Sequence, residues 1–178
     1  FRSIGKTFYR TLLIMTLGTF LTASCVERNE NLNQKGEDKF LANEIPNMPS
    51  GLVLMDTTYV PIYSDIYSET KDTRFNLTAT LSLRNTSFSD TIYIIKADYY
   101  HTKGHLVRNY IKQPIYLAPL ETVEIIIDEA DIEGGTGSNF IFDWKIPKPC
   151  PEPLFEGIMS STMSQQGLSF TTQGKQIE

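Results

Sequence analysis

From Leu52 to the end of the chain, apolar and polar residues alternate with a period of two, not the 3.6 of a helix. Phe75, Leu77, Ala79, Leu81 and Leu83 alternate with Arg74, Asn76, Thr78, Thr80, Ser82 and Arg84, which predicts one half-buried strand. Asn85–Asp90 is turn chemistry. Thr91–Tyr100 predicts a second strand, with Tyr93, Ile95, Ala97 and Tyr99 on one face. Thr102–His105 then turns it into Leu106–Ile111 as a hairpin. Pro114 and Pro119 interrupt the pattern, and Val123, Ile125 and Ile127 resume it over Thr122–Asp128. A glycine-rich loop, Gly134–Ser138, leads into Phe140, Phe142, Trp144 and Ile146, again every second residue. Leu154–Met163 and Leu168–Thr172 add two strands. Tyr59–Tyr67 predicts the first strand, and Pro61 within it argues for a sheet edge, where a partner strand would find free backbone groups. No amphipathic helix competes with this pattern. About eight short strands with frequent turn signals predict an all-β fold: an antiparallel, immunoglobulin-like β-sandwich of 7–8 strands over residues 52–178. A small closed β-barrel is the alternative architecture.

The first 24 residues follow a different pattern. Arg2, Lys6 and Arg10 open the chain, and an uncharged, mostly apolar run of 16 residues extends from Thr11 to Val26. A helix needs ~20 such residues to cross a bilayer core. A basic start, a short apolar run and small residues after it predict a secretory signal peptide over 1–24. Residues 25–51 begin polar and Asn-rich, without apolar period, and predict a flexible tether with a reach of roughly 25–30 Å. Within it Phe40, Leu41, Ile45 and Met48 are candidates to dock on the domain.

Charge divides at the same place. The whole chain has 16 Lys plus Arg and 21 Asp plus Glu, a net of −5; the opening 24 residues hold three of the bases and no acid, so the remainder carries −8. Nothing in that remainder could neutralise several phosphates, which excludes a nucleic-acid partner. Hydrophobic residues at 40% exclude a chain disordered throughout.

Leu21-Thr-Ala-Ser-Cys25 resembles the lipobox of bacterial lipoproteins, with small residues before a cysteine and an apolar stretch upstream; Thr22 stands where leucine is commonest. The resemblance implies cleavage before Cys25, lipidation of its sulfur by a diacylglycerol and a further acyl chain, palmitate among the usual ones, on its amine. Two or three chains anchor a protein stably where one does not. The membrane partner is therefore expected to be reached through lipid on Cys25, in the bacterial cell envelope, and at the outer membrane in a diderm host because Val26 follows the cysteine. Plain signal cleavage with Cys25 as a free thiol is the alternative. The other cysteine is Cys150, in the Pro-rich connector Lys148–Pro153; it is unpaired if Cys25 is acylated, and a Cys25–Cys150 disulfide is the fallback.

Leu81-Ser-Leu-Arg-Asn-Thr86, Ala97-Asp-Tyr-Tyr100 with Gly104, and the run Ile115–Ile125 resemble immunoglobulin-like modules of bacterial envelope proteins. More specifically, Tyr59–Ser64, Phe75–Asn85, Asp98–Tyr100, Gly134–Phe140 and Gln165–Phe170 resemble the domain of unknown function 3124 family of bacterial exported proteins, over most of 53–177. This resemblance implies placement among envelope lipoproteins and no activity, so it carries over no catalytic residue.

Candidate chemistry is sparse. The chain has no G-x-S-x-G, H-E-x-x-H, C-x-x-C or Walker loop, and no cofactor motif. Gly134, Gly135 and Gly137 precede a strand, whereas a phosphate cradle needs a helix N-terminus. His101 and His105 flank a turn with Asp98 nearby; a weak metal site or an enzyme built around them competes with two exposed turn histidines. Asp128, Glu129, Asp131 and Glu133 offer oxygen ligands without EF-hand spacing and read first as a solvated acidic turn. Met159 and Met163 read as strand core. Tyr59, Tyr63 and Tyr67 would share the outer face of the first strand, as a stripe for stacking on sugar rings or anchoring a protein. The leading expectation is a non-catalytic envelope module that binds a protein or assists envelope assembly. The alternatives are a glycan binder using the tyrosines and a metal carrier or enzyme around the histidines.

Overall fold

The computed structural model describes residues 38–52, 54–162 and 167–177. In chain order its strands are β1 (Leu54–Ile62), β2 (Asp65–Ser68), β3 (Thr70–Asn76), β4 (Thr78–Arg84), β5 (Ile92–Tyr100) and β6 (Leu106–Asn109). They continue with β7 (Ile115–Leu117), β8 (Thr122–Ile127), β9 (Ser138–Ile146), β10 (Leu154–Ser161), β11 (Leu168–Gln173) and β12 (Lys175–Ile177). One sheet runs β12-β1-β9-β5-β6, with β7 also on β5; the second runs β11-β10-β4-β8; β2 and β3 form a separate hairpin. All pairings are antiparallel. The fold is an all-β sandwich, and among the described residues neither sheet closes on itself, so the barrel alternative does not form. Among the same residues no helix is long and apolar enough to cross a membrane.

The core lies where the alternating faces of the two sheets meet. Val60, Ile62, Ile92, Ile94, Phe140, Phe142, Trp144 and Ile146 from one sheet meet Ala79, Leu81, Leu83, Ile125, Ile127, Phe155 and Met159 from the other, all at most 3% exposed. An aromatic column threads it. Phe155 of β10 stacks on Phe142 at 4.7 Å, Phe142 on Phe140 at 5.5 Å, and Phe140 on Tyr99 at 4.9 Å, with Tyr110 tilted against Phe140 at 5.3 Å. Each such pair contributes ~0.5–1.5 kcal/mol beyond the area it buries. Trp144 keeps its indole N–H satisfied by donating to Thr58 Oγ1 at 2.9 Å.

Three departures from simple alternation shape the fold. First, β5 does not keep one face. Its register against β9 slips between Ile94 and Lys96, so Ile95 is an extra residue, and the inward set is Ile92, Ile94, Ala97 and Tyr99; Tyr93 and Ile95 are only half-buried. A bulge shifts parity in this way, which corrects the single face Tyr93–Ile95–Ala97–Tyr99. Second, the strand expected over Tyr59–Tyr67 breaks at Tyr63–Ser64 into β1 and β2, and the one expected over Phe75–Leu83 breaks at Leu77 into β3 and β4. Ser64 holds both breaks: its N–H donates to Gly135 O, and its carbonyl accepts from Leu77 N at 2.8 Å. Third, β1 is interior rather than an edge. Pro61 is tolerated because β12 pairs only with Thr57–Tyr59 and ends before it.

The chain enters the sandwich at a defined end. Phe40, in a short 3-10 turn (Asp38–Asn43), is 3% exposed within the core, Asn43 Nδ2 donates to Tyr116 O and Glu121 Oε1, and Glu44 bridges Ile115. The registers gather segments 85–91, 118–121 and 147–153 at that end, beside the start of β1. Buried Asn85 pins it: its amide donates to the carbonyls of Asp90, Leu117 and Ala118, and its Oδ1 accepts from Ser87 N. The β2–β3 hairpin, the 101–105 turn and the 128–137 loop lie at the opposite, distal end.

Candidate functional site

The distal end is cross-braced by side chains that three separate segments supply. Tyr99, carried inward by the shifted face of β5, places its hydroxyl 2.7 Å from Ser64 Oγ and 3.5 Å from Ser138 Oγ, and Ser138 in turn donates to Ile62 O at 2.9 Å. Thr102 spans to the glycine-rich loop: its N–H and its hydroxyl both donate to Gly134 O at 3.0 Å, while its Oγ1 accepts from Gly137 N at 2.9 Å. A side chain at Gly134 has no room. A Cβ there would run into the Tyr99 hydroxyl and stand 2.6 Å from Tyr99 Cζ and 2.7 Å from Ser138 Cβ. The glycine-rich loop forms a short 3-10 turn (Gly135–Gly137), with Gly135 at φ 75°, and is held on both sides.

A charged cluster completes the bracing. Arg108 Nη1 donates to Tyr110 Oη at 2.9 Å and to Asp131 Oδ2 at 3.0 Å, and its Nη2 donates to Glu133 Oε2 at 3.1 Å. Burial opposes the Arg108 charge, yet its neighbours hold its pKa above the ordinary arginine value. At neutral pH Tyr110 is an uncharged phenol, so the ionic attraction comes from the carboxylates, Asp131 at 3.0 Å and the more exposed Glu133 at 3.1 Å. Burial pushes the Tyr110 phenol up to about 12, against the pull of Arg108. Burial likewise raises Tyr99, opposed by its serine partners. Two of the four acids expected to form one solvated turn are therefore tied to Arg108, while Asp128 is exposed.

The three tyrosines expected on one strand face occupy separate settings. Tyr59 points outward from β1 and is half-buried, in register with Ile141 and Lys175. Tyr63 sits in the break after β1, packed on the core and edge-on to Phe170 at 5.7 Å. Tyr67 is on β2, 54% exposed, with the Arg74 guanidinium 5.1 Å over its ring. The premise of a single stripe fails because the chain turns at Ser64. His101 and His105 lie across their turn, His101 N–H donating to His105 O, and His101 Nδ1 accepts from Lys103 N. Asp98 is not shared with them: its carboxylate is held by Lys96 at 2.9 Å, Asn109 at 2.7 Å and Tyr100 at 3.3 Å, and its hydrogen bond raises the Lys96 pKa. Among the described residues no three His, Cys, Asp or Glu side chains are grouped to hold a metal ion. Cys150 is half-buried, and burial raises its thiol pKa. Met159 is in the core. Cys25 and Met163 lie outside the described residues. The Arg108–Tyr110–Asp131 cluster and the Tyr99–Ser64–Ser138 knot were not anticipated. Their one sequence signal is the proximity of Arg108 and Tyr110, two apart, which is too common to stand out.

An all-β sandwich with braced loops at one end is the class of protein these observations define. The chain belongs to the family described as Protein of unknown function (DUF3124), whose model matches residues 55–177. No match was found among curated proteins. A solved structure titled "Crystal Structure of Thermotoga maritima 1070" is similar at 11% identity, covering 71% of this chain and 96% of that one with a TM-score of 0.42.

Two outcomes test the bracing. Gly134→Ala should destabilise the domain by about 1–3 kcal/mol in denaturant melts, and adding Tyr99→Phe should cost less than the two single changes summed, since the hydroxyl is the nearest obstacle. Tyr110, with its folded pKa raised, contributes stability that is complete below its unfolded pKa near 10 and is lost as pH rises toward about 12. At ~1.4 kcal/mol per unit, wild type should therefore lose on the order of 2 kcal/mol more than Tyr110→Phe across that window, measured as denaturant midpoint against pH.

Proposed function

We propose that this chain is a lipid-anchored protein of the bacterial cell envelope whose sandwich is a non-catalytic module for binding another protein. The anchor is lipid on Cys25 at the end of the lipobox-like run Leu21–Cys25. The observation that supports the reading best is polarity of the domain. The chain enters at one end of the sandwich, and the side-chain-braced loops stand at the other. A tether joined at one end leaves the opposite loops free for a partner, and loops at one end of a sandwich are a common place for recognition. Fold alone assigns no ligand; rigid, preorganised loops favour binding by lowering the entropy lost on association.

Photo-crosslinking residues introduced at exposed Lys71 and Ile132, at the distal end, should capture an envelope protein in the native host, while one at Phe88, at the entry end, should not. Equal capture at both ends, or none at the distal end, counts against the reading. Cys25→Ala should move the protein from the membrane fraction to the soluble one; retention with the membrane removes the anchor.

Glycan binding is a second reading, favoured by the outward face of the first sheet. There Tyr59 and Tyr100 are half-buried beside Ile141, and Tyr93 pairs with Tyr116 further along the same face, opposite in parity to the inward Val60, Ile94, Tyr99 and Ile115. Flat tyrosines suit the apolar faces of sugar rings. Alanine at Tyr59 and Tyr100 should then abolish binding on a glycan array; binding that survives both changes removes this reading.

A further inference from the structure

The edge expected at Tyr59–Tyr67 is not continuous: β12 covers β1 at Thr57–Tyr59, and past Ser64 the chain enters β2, which pairs with β3. A different strand is open. β8 ends its sheet and pairs only with β4 among the described residues. Asn85 N–H donates to Glu121 O, so by the alternation of an antiparallel ladder residues 123, 125 and 127 continue the bonding to β4. The backbone N–H and C=O groups of Thr122, Glu124 and Ile126 therefore point to the free edge. Natural edges are blunted by lysine, proline or a bulge. β8 has none of these: it reads Thr-Val-Glu-Ile-Ile-Ile in unbroken register with β4.

The charge along this edge is one-sided. From Gln113 to Trp144 the chain has no Lys or Arg and seven acids. Glu121 and Asp131 are engaged inside the domain. Glu124 and Asp128 are exposed, and neither forms an ion pair among the described residues. Ile126, 49% exposed, flanks Glu124 on the outward face, and Val123 on the inward face is only half-buried. A second copy pairing here would bring both sets of acids onto one seam. An incoming strand with lysine or arginine beside Glu124 and apolar residues toward Val123 and Ile125 would satisfy both faces.

We propose that the β8 edge accepts an extended peptide segment in which basic and apolar residues alternate, adding it as a fifth strand to the second sheet. The proposal goes beyond the anchored-module reading and does not need Cys25 to be acylated, so the two fail separately.

The probe is a short synthetic peptide alternating lysine and valine, with a glutamate–valine peptide as control, titrated into the full chain while amide hydrogen exchange is followed. Exchange at Thr122, Glu124 and Ile126 should slow with the lysine peptide and not with the control, and added salt should weaken the effect. Glu124→Lys, exposed and backbone-neutral, should lower peptide affinity about tenfold, which corresponds to ~1.4 kcal/mol. Glu124→Pro removes an outward N–H without touching the β4 bonds and should abolish binding, with protection at Ile125 and Ile127 retained. The proposal is overturned if those three amides gain no protection, or if Glu124→Pro binds as the parent does. It also falls if the same amides are protected by rising protein concentration without peptide, which would make the occupant a second copy.

Discussion

The Tyr99 side chain joins the two halves of this structure. Its ring is the last member of the aromatic column that begins at Phe155, so the full packing of the core fixes where it stands. Its hydroxyl emerges from that apolar column between Ser64 and Ser138. A buried phenol without partners would cost about 1–3 kcal/mol, and the two serines remove that cost by bringing the start of the β2–β3 hairpin and the start of β9 together. Gly134 is required because the hydroxyl occupies the place of a side chain there. Core packing thereby dictates the positions of loops that would otherwise be set only by their own backbone preferences.

Tyr99 reaches this position only because β5 is bulged. With unbroken alternation Ile92, Ile94, Lys96 and Asp98 would share the inward face. Two charged side chains would enter the core, and Tyr99 would point outward. The extra residue at Ile95 turns Lys96 and Asp98 outward, where they pair with each other and with Asn109. A bulge costs one unpaired residue, while burying an ion pair costs several kcal/mol unless its geometry is excellent. The sequence does contain the conflict, since no single period places both Ile94 and Tyr99 inside. It does not say which residue absorbs the slip, because that depends on which partner of β9 each side chain meets.

This is the general boundary of what the chain disclosed on its own. The alternation over Phe140–Ile146 is intact in burial, as period-two patterning on a one-sided core requires, and that over Leu77–Leu83 is broken only by Ser82, at 1% exposed. Breaks at Ser64 and Leu77 were hidden because strand continuity depends on where hydrogen bonds go, and Ser64 bonds to residues 13 and 71 positions away. β12 was hidden for a similar reason: Lys175–Ile177 shows no local apolar pattern, being exposed throughout, and exists because β1 offers it an edge. The distal cluster was less legible still. Arg108 reads as one surface arginine until the fold sets Asp131 and Glu133 beside it.

Edge strands of the two larger sheets show how differently one chain can treat the same hazard. β11 and β12 are consecutive, and the chain passes from one sheet to the other at Gly174, where a Cβ would stand 2.7 Å from Thr58 Cγ2 and 3.2 Å from Phe155 O. That crossing draws the sheets together along one flank. On the other flank β6 is short, slips register against β5 at Tyr99–Tyr100, and carries Arg108, so its edge is brief, kinked and charged. β8 has neither device. Its six residues are in regular register, and the charge on it is acidic, with its acids placed on and after the strand rather than replacing its apolar positions. Acidic residues at an unblunted edge repel an identical edge while leaving the ladder groups available. An edge protected only by the sign of its charge excludes copies of itself and selects strands of opposite sign, which is a discrimination that proline or a bulge could not make.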